Sequence, residues 1–234
     1  PNDLEVAPDF VDIDCLDRFT EQAIKWLERQ AAAARNGKPF MLYLSHTSPH
    51  KPVIPLKRFR GQGDAGAYGE FMIETDWHVG RVLDWLDENK LADNTIVVFT
   101  SDNGPENTWR KRNEKFGHQS NGIYREGKRS IYEGGHRVPF LVRWPAKVKA
   151  GSRWEQPVCQ TDLLATFAEM LGKNLPDNAG EDSVSFYRAL TGENALQRLA
   201  MIHHGMQGRY AIREGQWKLI MEGGRRAAKR ELYD

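Results

Sequence analysis

Apolar residues recur at helical spacing between about Asp14 and Asn36, where Leu16, Phe19, Ala23, Trp26, Leu27 and Ala34 form a stripe that Gly37 and Pro39 stop. This pattern predicts an amphipathic helix. Directly after it, Phe40-Met41-Leu42-Tyr43-Leu44 is an apolar run of strand length, and it leads into the polar, proline-rich loop Ser45-His46-Thr47-Ser48-Pro49-His50-Lys51-Pro52. A second helix is predicted from about Tyr68 to Asn89. Met72, Val79, Leu83 and Leu86 make its stripe, and Asp76 falls on the same side, where a carboxylate needs a hydrogen-bond partner. Ile96-Val97-Val98-Phe99 then reads as a strand buried on both faces, running through Thr100 and Ser101 into Asp102-Asn103-Gly104.

Residues 106–133 are polar and carry no clear period, the character of a binding loop. Val138 to Trp144 predicts a third strand, ended by Pro145, and Thr161 to Gly172 a capped helix with a glycine exit. After about residue 174 the elements shorten. Arg209 to Arg213 and Trp217 to Met221 flank Glu214-Gly215-Gln216, a predicted hairpin turn. Helices alternating with apolar strands give an α/β class with a mixed or parallel sheet flanked by helices, followed by a small antiparallel carboxyl-terminal subdomain. The division is 1–173 and 174–234. Three buried strands are few for such a sheet, so an upstream segment of roughly 200 residues is expected to cover its unpaired edges.

Composition narrows the function classes. The 234 residues carry 33 Lys and Arg against 32 Asp and Glu, a balance that gives no support for nonspecific nucleic-acid binding. No apolar run approaches the length of a membrane span, and no signal segment stands at the amino end; the start at Pro1 reads as a cut or processed end. Cys15 and Cys159 are too isolated for a zinc cluster or a disulfide framework.

Three loop features carry candidate chemistry, and each has a plain structural reading beside the chemical one. Asp102-Asn103 forms either an ordinary strand-exit turn or a pair of hard oxygen ligands suited to calcium or magnesium. His50 is either an exposed loop histidine or an acid-base group, and Lys128 either a solvated charge or an anion contact. Their order and spacing resemble the carboxyl-terminal half of the sulfatase family, within the alkaline-phosphatase-like superfold. The resemblance rests on Ser-Pro-His50-Lys-Pro, on Leu91-Ala-Asp-Asn-Thr-Ile-Val-Val-Phe-Thr-Ser-Asp102-Asn103-Gly104, and on Gly127-Lys128 with Tyr132-Glu133-Gly134-Gly135-His136-Arg137-Val138-Pro139. It continues through Thr161-Asp162-Leu163-Leu164 to Glu231-Leu232-Tyr233-Asp234.

That resemblance implies that residues 1–173 are the carboxyl-terminal part of a sulfatase catalytic domain. It implies that Asp102 and Asn103 bind one divalent cation, calcium in preference to magnesium, that His50 contacts the ester near its leaving oxygen, and that Lys128 touches a sulfate oxygen. His118 and Arg125, in the long loop, are candidate contacts to the organic part of the substrate, expected to be a sulfated glycan or other sulfated small molecule. The family's nucleophile is a formylglycine made from a cysteine in a Cys-x-Pro/Ala-x-Arg context. Neither Cys15, followed by Leu-Asp-Arg, nor Cys159, followed by Gln-Thr-Asp, supplies it. The formylglycine and the remaining metal carboxylates are therefore expected in the missing amino-terminal half, and the chain alone is expected to be inactive. A phosphate or phosphonate monoester hydrolase of the same superfold, and a non-catalytic fragment that binds sulfated glycans, are the alternatives. The family is usually exported or lysosomal, which implies a periplasmic, secreted or lysosomal location. His203 and His204 are expected to line the subdomain interface, and the run from Arg225 to Arg230 to be a solvated loop.

Overall fold

The computed structural model of the chain describes residues 9–195, 198–221 and 230–234. It divides into two compact units, one reaching to Asn94 and including Arg110–His118, the other comprising Thr95–Trp109 and Gln119–Asp234.

In the first unit, helix α1 (Cys15–Arg35) packs on helix α2 (Gly66–Glu88). The buried stripe of α1 is Leu16, Thr20, Ala23, Leu27 and Ala31, which follows the 3.6-residue period closely; Phe19, read into that stripe, is exposed instead. On α2 the stripe differs more. Phe71, Glu74, Thr75, His78, Trp85 and Leu86 are buried, whereas Asp76 is exposed and needs no interior partner. The stripe is rotated by about one residue from the one hydropathy indicates, because two of its members are a glutamate and a histidine. The run Phe40–Leu44 is extended but joins no sheet among the described residues. Its side chains alternate between half-buried and exposed, with Tyr43 at 85% exposure, rather than being buried on both faces.

In the second unit, strand β1 (Val97–Thr100) pairs antiparallel with β2 (Phe140–Arg143), Val97 opposite Arg143 and Thr100 opposite Phe140. Among the described residues the pair forms a two-stranded antiparallel sheet with no parallel pairing, and β1 is half-buried throughout rather than buried on both faces. The aperiodic stretch after Pro105 contains helix α3 (Trp109–Phe116), which from Arg110 onward belongs to the first unit; it buries no side chain and so left no hydrophobic signature. One short turn of helix, α4 (Glu133–His136), precedes β2.

Helix α5 (Asp162–Met170) begins where the sequence indicates and ends at Gly172, whose φ of +61° meets the left-handed requirement of a helix exit. The Thr161 side chain makes no cap. Instead the first-turn Ala165 N–H donates to Ser183 Oγ (2.9 Å), while Asp162 accepts the backbone N–H of Cys159 (2.7 Å) and of Val184 (2.9 Å), both outside the helix, and pairs with Arg198. Short helix α6 (Tyr187–Thr191) leads to a four-stranded antiparallel sheet in the order β3 (Ala200–His204), β4 (Tyr210–Glu214), β5 (Trp217–Met221), β6 (Arg230–Tyr233). The predicted hairpin is present, Glu214 facing Trp217 across Gly215 at φ +54°. One face of this sheet buries Ala211 and Ile220 against Ile131 and Tyr132. On the other face Ile202, Ile212, Leu219 and Leu232 stand in register across all four strands, with Ile202 at 64% and Leu232 at 63% exposure. The basic run from Arg225 falls outside the described residues apart from Arg230.

Candidate functional site

Asp102 and Asn103 lie just beyond the end of β1, where Gln160 braces the backbone by donating to Ser101 O. Asn103 Nδ2 donates to Gly104 O at 3.0 Å, which commits the amide nitrogen and leaves Oδ1 as the atom free to ligate. The Asp102 side chain is exposed and makes no hydrogen bond or ion pair among the described residues. One carboxylate and one amide carbonyl are hard oxygen donors, so these residues fit part of a calcium or magnesium shell.

Four glycines then join this loop to the segment that carries Lys128. Gly104 N–H donates to Gly135 O at 2.9 Å, and Lys128 N–H donates to Pro105 O at 2.8 Å. A Cβ on Gly104 would stand 1.8 Å from Gly134 O; one on Gly127 would stand 2.4 Å from Pro105 O; those on Gly134 and Gly135 would meet Glu126 O at 2.1 Å and Ser130 O at 2.2 Å. Backbone lies on backbone with no side chain between. Lys128 is half-buried in a tight loop bounded by Glu126 (φ +64°) and Arg129 (φ +76°), left-handed conformations that cost a residue with a Cβ roughly 1 kcal/mol or more each. Arg129 compensates through an ion pair with Glu106 at 2.7 Å, and that guanidinium, with the Asn107 N–H, holds the Glu106 carboxyl down to about 2.

His50 belongs to the first unit and is exposed. Its Nδ1 lies 2.8 Å from Lys51 O, and because a carbonyl only accepts, Nδ1 carries the hydrogen and Nε2 is left for a ligand. The peptide bonds Ser48–Pro49 and Lys51–Pro52 on either side of it are both cis. Helix α2 anchors the loop. Ser48 and Thr75 hydroxyls are 2.7 Å apart, and the ring of His46 meets that of His78 edge-on. Burial lowers the pKa of His46, and it brings that of His78, which is completely buried, to about 4 despite the neighbouring Asp17 carboxylate. Burial also raises the carboxyl of Glu74, one of whose oxygens accepts the Leu56 N–H at 2.9 Å. Sequence reading missed Glu74 and His78. Their separation of four residues on one helix was the available signal.

The two loop candidates differ in commitment. His118, in the first unit, is exposed beside Tyr68, with ring centroids 5.9 Å apart. Arg125, in the second, lies over the Tyr132 ring at 3.7 Å and donates to Tyr233 Oη at 2.9 Å, so its guanidinium is engaged with β6.

A further polar cluster sits between α4 and the carboxyl-terminal sheet. Glu133, His136 and His203 offer ligand atoms within 4.8 Å of one another, a donor set that suits zinc rather than calcium. The ammonium of Lys218 lies 2.8 Å from both Glu133 Oε1 and His136 Nε2, so these donors already share a positive charge. Burial and the adjacent cations lower the pKa of His136 and take His203 to about 3, so both rings are neutral at pH 7. Burial works to raise the Glu133 carboxyl, but Lys218 outweighs it and the net direction is down. Burial likewise lowers Lys218.

Comparisons with known proteins bear on this geometry. The family description Sulfatase matches residues 10–173, and N-sulphoglucosamine sulphohydrolase, C-terminal, matches residues 122–234. The chain is similar to an N-acetylgalactosamine-6-O-sulfatase of Bacteroides thetaiotaomicron, 37% identical with 89% of this chain and 40% of the relative covered. It is also similar to human steryl-sulfatase, 34% identical over 80% of this chain and 31% of the relative. Among solved structures, a 6S-sulf protein from a Bacteroides thetaiotaomicron locus for metabolism of multiple glycosaminoglycans superposes with a TM-score of 0.80 at 35% identity, covering 90% of this chain and 44% of that one. The chain spans less than half the length of each of these relatives.

Proposed function

The chain belongs to the sulfatase family, and from that premise we propose that it supplies the carboxyl-terminal half of the active site of a sulfuric ester hydrolase. The observation that carries this reading is the glycine junction, which holds the Asp102-Asn103 loop against the Lys128 loop at fixed separation. Asp102 and Asn103 would hold one divalent cation, calcium in preference to magnesium. When bound, that ion offsets the negative charge of a sulfate monoester. Lys128 donates to a sulfate oxygen. His50, its ring oriented by the Nδ1–H contact to Lys51 O, presents Nε2 to the leaving oxygen. As the S–O bond to the organic group breaks, the electron pair stays on that oxygen, and His50 in its imidazolium form, with Nδ1–H still on Lys51 O, gives up its Nε2 proton to it and is left as the neutral Nδ1–H imidazole.

The formylglycine nucleophile and the other metal carboxylates belong, on this reading, to the part of the family's length that the chain does not match, so the chain alone is inactive. The domain division at residue 173 is part of the same reading. His118 is the more available contact for the substrate's organic part, since Arg125 is engaged by Tyr132 and Tyr233. The relatives named for N-acetylgalactosamine 6-O-sulfate and for a glycosaminoglycan locus favour a sulfated carbohydrate over a sterol. An exported or lysosomal location follows from the family; no described helix is long and apolar enough to cross a membrane.

The test uses the full-length protein that carries this chain, on a 6-O-sulfated N-acetylgalactosamine glycoside and its phosphate analogue. Sulfate release should exceed phosphate release, and Lys128→Ala should lower kcat by about two to three decades. Faster phosphate release, or calcium binding unchanged by Asp102→Ala, would overturn the assignment.

A further inference from the structure

Lys218 lies in the middle of β5, yet it is only 6% exposed. Its register places it beside Ile220 on the buried face of the sheet, where a lysine is ordinarily excluded. Its ammonium has three hydrogens and lies 2.8 Å from each of Ile131 O, Glu133 Oε1 and His136 Nε2, the last an acceptor when the ring carries its hydrogen on Nδ1. All three belong to α4 or the turn that enters it. Arg213, across the strand pair from Lys218, completes the grip at Glu133 Oε2, 3.1 Å away. Removing a buried donor from such a network leaves charged and polar partners unpaired, so α4 cannot hold its place unaided.

The same short helix forms one wall of the glycine junction. Gly135 O accepts the Gly104 N–H, and Gly134 O stands 1.8 Å from where a Cβ on Gly104 would be. Backbone-to-backbone contact has no flexible side chain to absorb a shift, so a displacement of α4 passes undiminished to Asn103 and Asp102. We infer that Lys218 is a positioning residue for the Asp102-Asn103 loop, acting from the carboxyl-terminal sheet through Glu133, His136 and the Gly134-Gly135 backbone. Its consequence for metal and substrate rests on the function proposed above. The mechanical coupling does not.

Amide hydrogen exchange by NMR on this chain tests the coupling. Lys218→Met keeps the side chain's length and removes its donors, and it should speed exchange at Gly104 by about tenfold or more while amides in α5 and in the middle of α1 keep their parent rates. Glu133→Gln, which retains the shape but weakens the grip, should give a smaller change at the same amide and guards against a Lys218→Met chain that does not fold. Parent-like protection at Gly104 in both variants, or uniform acceleration of every amide in the second unit, would refute the inference, the second outcome marking Lys218 as an ordinary contributor to stability. In the full-length enzyme Lys218→Met should lower kcat with little change in KM. Failure of Asp102→Ala to alter calcium binding would count against the metal assignment while leaving the exchange result intact.

Discussion

Gly104→Ala tests the glycine junction with a single methyl group. The added Cβ would lie 1.8 Å from Gly134 O, 2.9 Å from Gly134 C and 3.2 Å from Gly135 C. Ordinary contact needs about 3.5 Å, so the two backbones must separate by more than an ångström. Overpacking of this kind costs about 1–3 kcal/mol, and loss of the Gly104 N–H to Gly135 O hydrogen bond adds about 1 kcal/mol. Against this, replacing glycine by alanine restricts the unfolded chain and returns about 0.4–1 kcal/mol. Gly104 does not have a positive φ, so no backbone strain enters. The net loss is about 2–3 kcal/mol, equivalent to a fall in Tm of about 5–10 °C for a chain of this size. Gly80 supplies the contrast: it sits inside α2 with nothing within 4 Å of its ideal Cβ, so Gly80→Ala should stabilise by about 0.5–1 kcal/mol. Urea unfolding of the three proteins measures the difference. Equal midpoints for the two variants would show that the junction yields at small cost and would remove the ground for treating the two loops as one rigid piece.

Two further outcomes follow from buried ionisable groups. His78 titrates at about 4 in the fold and near 6.5 when unfolded, so between those values the unfolded chain takes up a proton that the native chain refuses. Stability contributed by keeping His78 neutral is therefore complete above pH 6.5 and falls by about 3 kcal/mol as the pH drops to 4; His78→Leu should lack that slope, and parallel pH profiles for the two proteins would refute it. Asp162→Ala removes the acceptor for Cys159 N–H and Val184 N–H and takes the carboxylate from half-buried Arg198, leaving it Asp182 O; denaturant titration should show a loss of about 3 kcal/mol.

What could be read from the sequence was whatever hydropathy encodes. The first helix declared itself through Leu16, Ala23 and Leu27, and the hairpin through two alternating runs around Gly215. Asp76 was misplaced because the true stripe of α2 includes Glu74 and His78, polar groups whose burial only the surrounding packing explains. Helix α3 was invisible because none of its side chains is buried. Phe40–Leu44 has strand composition without a described partner, and composition cannot report whether a partner is present. Among the residues proposed for the site, Asp102, Asn103 and Lys128 were legible as motif, whereas Lys218 was not. Period-two alternation does put Lys218 on the same face as Ile220, and a lysine at that position was the overlooked signal.

The uncovered side of the carboxyl-terminal sheet sets how this chain behaves as a colloid. Ile202, Ile212, Leu219 and Leu232 form one aliphatic row, with Trp217, Tyr210 and Met221 around it, in a molecule whose formal net charge is only +1. Little long-range repulsion opposes contact between such faces, and excluded salts such as ammonium sulfate strengthen the tendency to remove them from water. Handled by itself, the chain should salt out early and be retained on hydrophobic resins, so that concentration and ionic strength govern its handling before thermal stability does.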